Sequence, residues 1–595
     1  MHTADSENDQ YQSPAMAKRW LRRWMPGLVA LCVVVLLPFA IGYIAAPSSL
    51  FASPHSLSSY WVGNVLPVVI IYLVILGLTR RVFASAIATI GLFAVTVGIS
   101  NLKFHVLGTP IIASDFYLVG QLVRNISLFV QYAFSWTGLA VLVGAVACAF
   151  AAARLAKEKP LTRRPTYSIA AAIGAIGLFT WVSMGTVQPE SAIHEFYGSL
   201  NLTYKPWNID KTVRFSGLLA SLVMEAKGLA VNVPYEPGHL DELMAAVKKA
   251  PDTYDQPVDP SRYPNIIVIQ SEAFADIRRA DPKLPPGYYS QWDKLKEQGI
   301  SGYTRLETYG GGTLRSGFSF LTGAPIGMFG ASGSYPYYTI TTHPVESIAT
   351  TLKKLGYSVK AMQPSEPMFW NRKVAFPLMG FDDLLSINEM PEVPTVGHWP
   401  SDIGLLQRAF REVQSAKKPA FLFVITAENH GPWGYNRGGG DMPGDLSYLS
   451  GGAEYRLRQY AWVLQHTFEG LERLYKETRK LKRPTLILFY GDHWPALSEY
   501  LADVGIKRPW RNDSVHKGDY LLLGAVRHVD APKIIHIGYM AAYLLESAGL
   551  PQNTYYQAAG YMMRKCGDKI MACKAVPADR REGYKEMILD RMNLL

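Results

Sequence analysis

Five apolar runs constrain this chain more than any other feature: Gly27–Ala46, Trp61–Leu78, Val82–Ser100, Trp136–Ala153 and Ile169–Met184. Each is long enough to cross a hydrocarbon core of roughly 30 Å, the last only just. The first is followed by further spans and no small-residue cleavage site dominates it, so it reads as an anchor. Basic residues crowd particular edges of these runs: Lys18, Arg19, Arg22 and Arg23 before the first, Arg80 and Arg81 between the second and third, and Arg154, Lys157, Lys159, Arg163 and Arg164 between the fourth and fifth. The segment 47–60 has no Lys or Arg, and 101–135 has only Lys103 and Arg124. The positive-inside rule then places the N-terminus in the cytoplasm and everything after Met184 outside it.

The formal net charge of +11 is largely accounted for by those flanks. It therefore points to a membrane, and the remaining basic residues suit an anionic lipid surface; no nucleic-acid partner is expected. The spans carry almost no ionisable side chains, which argues against a channel or transporter and for an anchor that gives access to lipid. The expected organisation is a cytoplasmic tail over 1–26, a five-helix transmembrane domain over 27–184, a connector over 185–260 and an extracytoplasmic domain over 261–595. In the connector, Phe215, Leu218, Leu219, Leu222 and Val223 recur at helical spacing. That pattern fits an interfacial helix or a helix packed on the soluble domain. Prolines at 234, 237, 251, 257 and 260 then mark a linker. Cys32 and Cys148 lie in apolar runs and read as packing residues. Cys566 and Cys573 lie in a polar stretch outside, where a disulfide is favoured over free thiols.

From Asn265 onward, short apolar runs alternate with amphipathic segments. Residues 265–270, 419–426, 484–490 and 520–524 read as buried strands, and 345–355 and 402–416 as helices. Such alternation implies an α/β domain with a mostly parallel central sheet, whose ligands bind beyond the carboxyl ends of the strands. At those ends stand Glu272, then Glu428-Asn429-His430, then Asp492-His493. Oxygen and imidazole donors delivered by separate strands suit Mn²⁺, Zn²⁺ or Mg²⁺. The stretch Gly310-Gly311-Gly312-Thr313 precedes a short helical pattern. It places a hydroxyl at a helix N-terminus, where a backbone free of side chains approaches a phosphate and the helix end favours negative charge. Thr313 is the candidate nucleophile; Ser316, one turn on, is its rival.

Ser271-Glu272, Gly311-Gly312-Thr313-Leu314-Arg315-Ser316, Phe369-Trp370-Asn371-Arg372, Asn429-His430-Gly431-Pro432-Trp433 and Gly491-Asp492-His493, in that order, resemble the lipoteichoic acid synthase-like branch of the sulfatase/alkaline phosphatase superfamily. That branch includes the phosphoglycerol transferases of periplasmic glucans. The resemblance spans the anchor, the connector and the α/β domain. It implies one divalent metal, Mn²⁺ foremost, on Glu272, Thr313, Asp492 and His493. It implies attack by Thr313 on phosphatidylglycerol, and transfer of glycerophosphate through a phospho-threonine to an extracytoplasmic glycan or glycerophosphate acceptor at the inner membrane. Arg372 and His430 would act at the phosphate and Trp370 would pack on the glycerol; His516 is a further site candidate without an assigned role. No Cys/Ser-x-Pro-x-Arg stretch of true sulfatases is present. Phosphoethanolamine transferases, the rival reading, usually carry several disulfides, whereas this domain has cysteines for one.

Overall fold

A computed structural model describes residues 57–107, 110–118, 136–155, 157–160, 192–202, 209–228, 233–248 and 260–595 (without 439–441 and 525–526), with isolated positions elsewhere before 232. The chain divides into two compact units, one of Met1–His105 and Thr109–Leu229 and one of Val106–Gly108 and Ala230–Leu595.

In the first unit, α1 (Leu57–Thr79) and α2 (Val82–Leu107) fall on the second and third apolar runs, and α3 (Trp136–Leu155) on the fourth. Among the described residues, two helices, Ser59–Thr79 and Val82–Phe104, are long and apolar enough to cross a membrane. The first and fifth runs lie largely outside the described residues. The apolar pattern of the connector resolves into α4 (Ile209–Ser216) and α5 (Leu218–Gly228). Leu218 and Leu219 pack with Val68, Tyr72 and Phe93 of α1 and α2. The break at Gly217 is held by Asn64, whose Nδ2 donates to the Ser216 carbonyl (2.8 Å) and whose Oδ1 accepts from Ala220 N (3.0 Å). Gly217 has φ +86°, and a Cβ there would meet the Asn64 amide, so both backbone conformation and space require glycine.

The second unit is built on an eight-stranded sheet: β1 (Asn265–Ser271), β2 (Ile300–Arg305), β3 (Ser358–Met362), β4 (Asp383–Leu385), β5 (Ala420–Ile425), β6 (Thr485–Gly491), β7 (Lys517–Gly524) and β8 (Ile534–His536), in the order β8-β2-β7-β6-β1-β5-β3-β4. All pairings are parallel except the two made by β7. Strand β7 therefore runs against the rest, and its first residues lie at the edge where the other strands end. The central strands β1, β5 and β6 are buried throughout, as a sheet covered on both faces requires. One covering layer holds Trp292, Leu405, Leu464, Phe468 and Phe489, with Phe274 and Trp292 edge to face at 4.9 Å. Helix α6 (Thr313–Thr322) follows the triple glycine. Helices α7 (Asp402–Gln414) and α8 (Gly451–Thr478) pack on each other. Cys566 and Cys573 are joined by a disulfide.

Candidate active site

Adjacent strands β1 and β6 end side by side, Ser271 opposite Gly491, and each hands its next residue to the same point. Close approach there requires glycine: a Cβ on Gly491 would stand 1.9 Å from the Phe274 carbonyl oxygen. Glu272 follows β1, its N–H donating to Thr426 Oγ1 at the end of β5 (3.1 Å). Asp492 follows β6; its Oδ1 accepts from the N–H groups of Ala273 (2.9 Å) and His493 (2.7 Å), while its Oδ2 is buried without a hydrogen-bond partner.

His493 Nδ1 pairs with the Trp494 carbonyl at 3.0 Å, so Nδ1 carries the proton there. Its Nε2 then faces Glu272 Oε1 at 3.4 Å and Asp492 Oδ2 at 3.6 Å. Fixing one imidazole nitrogen by a backbone acceptor leaves the other as a metal donor. Ligand atoms of Glu272, Asp492 and His493 all lie within 4.8 Å of one another. Two fully buried carboxylates meeting at an orphaned oxygen make an expensive arrangement without a cation, and the donor set fits a divalent metal. The electrostatics agree. Burial, with the Glu272 charge nearby, pushes Asp492 up to about 7. Burial opposes charge on His493 also, but the Asp492 and Glu272 carboxylates outweigh it and raise the imidazole to about 9. Burial alone would raise Glu272, yet His430, His493 and Thr313 together hold it down at about 2.

Thr313 opens α6. Gly312 before it is left-handed (φ +91°), which turns the chain sharply into the helix. Thr313 Oγ1 donates to Glu272 Oε2 at 3.0 Å, and Gln270 Nε2 holds the Thr313 carbonyl at 2.9 Å. Ser316 spends its hydroxyl on the Asp492 carbonyl (2.6 Å), so of the two candidate hydroxyls only Thr313 faces the acidic cluster.

Arg372 is buried, with Nη1 on Gln363 Oε1 (3.0 Å) and Nε without a partner. Burial lowers its pKa against the pull of Tyr337, Glu272 and Asp492, which places the guanidinium in the field of the cluster. Two successive left-handed residues, Trp370 and Asn371, turn the chain just before it. Asn371 donates to the Tyr337 carbonyl (2.7 Å), and the Trp370 ring stacks on Tyr335 (5.8 Å). His430 stands close enough to Glu272 to depress it and lies against Trp399 (4.4 Å). His516 precedes β7; its ring Nε2 pairs with the Trp510 carbonyl, and it is not in the acidic cluster.

Several further residues support the site, of which Arg437, Asp402, Thr467 and His466 carry no signal in the sequence. Asn429 Nδ2 braces the Glu272 and Ala273 carbonyls (3.3 Å each). Behind His430, Arg437 donates to the carbonyls of both Glu428 and His430. Glu428 and Asp402 are fully buried and exchange backbone contacts: Asp402 N donates to Glu428 Oε2 (2.6 Å) and Glu428 N to Asp402 Oδ1 (3.2 Å). Thr467 donates to Asp402 Oδ2, and His466 Nδ1 pairs with Glu428 Oε1 (2.6 Å). Burial and then the Glu428 charge push Asp402 up to about 7. A carboxyl raised on folding stabilises most below its unfolded pKa and loses that contribution as pH climbs through its folded one. Stability should therefore fall between about pH 4 and 7 through this group. Asp402→Asn, neutral at every pH, is expected to raise stability at pH 8 relative to wild type by up to about 4 kcal/mol and to change it little at pH 4. Thermal unfolding of the detergent-purified chain across that range checks this.

Known proteins carry the same elements. Residues 264–541 match the family described as Sulfatase. A putative cyclic beta-1,2-glucan modification protein of Rhizobium meliloti is 26% identical over 516 residues, 84% of this chain and 77% of that one. The capsular polysaccharide biosynthesis protein RkpI of the same organism is 27% identical over 454 residues, 73% of this chain and 78% of that one. The solved Streptococcus pyogenes phosphoglycerol transferase GacH, in complex with sn-glycerol-1-phosphate, superposes with a TM-score of 0.50 at 21% identity, over 61% of this chain and 95% of that one. Residues 264–541 are thus similar to the sulfatase family, and this part of the chain shares the fold of the solved phosphoglycerol transferase.

Proposed function

We propose that this chain is a membrane-anchored phosphotransferase that moves glycerophosphate from phosphatidylglycerol to an extracytoplasmic glycan or glycerophosphate acceptor. The observation that carries the reading is the Thr313 hydroxyl at a helix N-terminus, 3.0 Å from Glu272 and beside Asp492 and His493. Glu272, Asp492, His493 and Thr313 would hold one divalent cation, Mn²⁺ by preference, with Mg²⁺ or Zn²⁺ as alternatives. Such an ion supplies the positive charge that makes a threonine alkoxide accessible at neutral pH. Thr313 Oγ1 forms the bond to phosphorus, its proton directed at Glu272. The bond from phosphorus to the diacylglycerol oxygen breaks, and His430 protonates that leaving oxygen. In the second half, an acceptor hydroxyl gives its proton to His430 and attacks the phospho-threonine; the bond from phosphorus to Thr313 Oγ1 breaks, and Thr313 takes its proton back from Glu272. Arg372 holds phosphoryl oxygens throughout, as its planar donors suit, and Trp370 packs on the glycerol.

The two Rhizobium relatives, named for glucan modification and capsular polysaccharide biosynthesis, support a glycan acceptor. The two apolar helices support an anchored enzyme beside its lipid donor; five spans, a cytoplasmic N-terminus and an outside catalytic domain complete the proposal and rest on the apolar runs and their basic flanks. The test is donor choice. The full chain in detergent with Mn²⁺ receives phosphatidylglycerol or phosphatidylethanolamine, each with a labelled head group. Diacylglycerol release from phosphatidylglycerol alone is expected. Release from phosphatidylethanolamine alone would reassign the chain to the phosphoethanolamine transferases, and release from neither would reject lipid head-group transfer.

A further inference from the structure

Arg315 lies two residues beyond Thr313, in the first turn of α6, and nothing in the reaction described above uses it. A cation there is placed against the positive end of a helix, where an anion would be favoured. Its stem folds back over the glycine loop: the Cβ position of Gly312 is 3.3 Å from Arg315 Cδ. Its Nε is buried without a hydrogen-bond partner. Among the described residues it makes no ion pair. The carboxylate in its field is Glu307, whose oxygens already accept from the N–H groups of Ile326 (2.6 Å) and Gly327 (3.0 Å) and from Ser319 Oγ (3.3 Å).

A second guanidinium, in the field of the acidic cluster, shows the same deficit. Arg372 is 2% exposed, and its Nε also lacks a partner. The short helix Pro336–Thr339, with Tyr335 before it, connects the two: Tyr335 lies in the field of Arg315 and stacks on Trp370, while Tyr337 lies in the field of Arg372 and accepts from Asn371. Two arginines with an unmet Nε donor each, on either side of this aromatic segment, one two residues beyond the nucleophile and the other in the field of Glu272 and Asp492, suit one multiply charged oxyanion. Burying such donors unpaired costs stability, and a ligand with phosphoryl oxygens would recover it.

Resting on the phosphotransferase reading, we propose that Arg315 is a second phosphate-binding residue, which grips the phosphoryl oxygens of the substrate together with Arg372. The guanidinium fork matches phosphoryl geometry in a way that an ammonium does not. Arg315 thus contributes to ligand affinity and not to the stability of the free protein.

Binding, not turnover, tests this. The full chain in detergent with Mn²⁺ is titrated calorimetrically with sn-glycerol 1-phosphate and, separately, with inorganic phosphate. Arg315→Gln is expected to weaken both by at least about tenfold, Arg315→Lys to recover part of the loss, and the melting temperature of ligand-free Arg315→Gln to equal or exceed that of wild type. Unchanged affinities, or a lowered ligand-free melting temperature with an unchanged ligand-induced shift in either variant, would make Arg315 a structural residue and overturn the proposal. Arg315-dependent binding of inorganic phosphate without binding of glycerol phosphate would keep the proposal and reject the phosphoglycerol reading. Failure of wild type to bind either anion would reject both.

Discussion

Thr313→Ala is expected to reduce diacylglycerol release by at least about 10⁴-fold, the loss typical when a covalent nucleophile is removed. Label from the donor head group should also vanish from the protein. The folded state should hardly register the change. Thr313 is buried but makes one side-chain hydrogen bond, to Glu272, and its carbonyl stays on Gln270 whatever the side chain. A loss of about 1 kcal/mol is the scale of one such bond. Thr313→Ser keeps the hydroxyl and should retain activity within about 100-fold of wild type, because nucleophile identity matters more than the methyl group. Ser316→Ala separates the two hydroxyls. Ser316 is committed to the Asp492 carbonyl, so its removal should lower the melting temperature and leave label on the protein. Label retained in Thr313→Ala would move the nucleophile elsewhere and refute the covalent step.

The acidic cluster of Glu272, Asp492 and His493 was legible because its residues stand where long, largely apolar strands stop. β1, β5 and β6 are buried over their whole length, and such runs announce themselves by composition. Their ends carry Glu272, His430 and Asp492. What stayed hidden has other causes. Strands β4 and β8 have three residues each, too few for any period to show. β2 reads Ile-Ser-Gly-Tyr-Thr-Arg, half-exposed and polar, and owes its place to pairing with β7 and β8. The reversed direction of β7 is a property of the sheet and leaves no trace in its own sequence, though it is what brings Asp519 to the catalytic edge, where it accepts from Asp276 N and Arg279.

Side-chain roles were harder still. Trp370 and Asn371 are both left-handed, a conformation that their residue types do not advertise. Asp402 sits in an ordinary amphipathic helix pattern, and only its meeting with Glu428, 26 residues on, makes it a buried carboxyl pair. His516 shows the converse. It precedes a strand at the right edge, yet its ring is spent on a local carbonyl six residues back. Position at a strand end is therefore not by itself a sufficient sign of a site, and the hydrogen bond that each side chain already makes decides between them.

Chelation should cost the protein stability as well as activity. A ligand that binds only the folded state stabilises it by RT ln(1 + [L]/Kd), about 4 kcal/mol at a thousandfold excess over Kd. For a domain of this size that is a melting shift of the order of 10 °C on adding Mn²⁺ to chelator-treated protein. Asp492→Asn should abolish most of that shift, because Asp492 Oδ2 is the oxygen with no other partner, whereas Oδ1 is already held by two backbone N–H groups. The pH dependence has a definite sign. Without metal, Asp492 is raised to about 7 and His493 to about 9, so protons occupy the positions that the cation needs. Raising the pH from 6 to 8 takes the proton off Asp492 and eases, without removing, the competition at His493, so the Mn²⁺-induced shift should grow, with apparent affinity rising up to about tenfold per pH unit per proton displaced. Glu272, held down at about 2, contributes nothing over that window. The free protein should move the other way, since a carboxyl raised on folding loses its stabilising contribution as the pH climbs. A shift that is independent of pH and intact in Asp492→Asn would mean that Mn²⁺ binds elsewhere, and that Glu272, Asp492 and His493 form a proton-sharing cluster and not a metal centre.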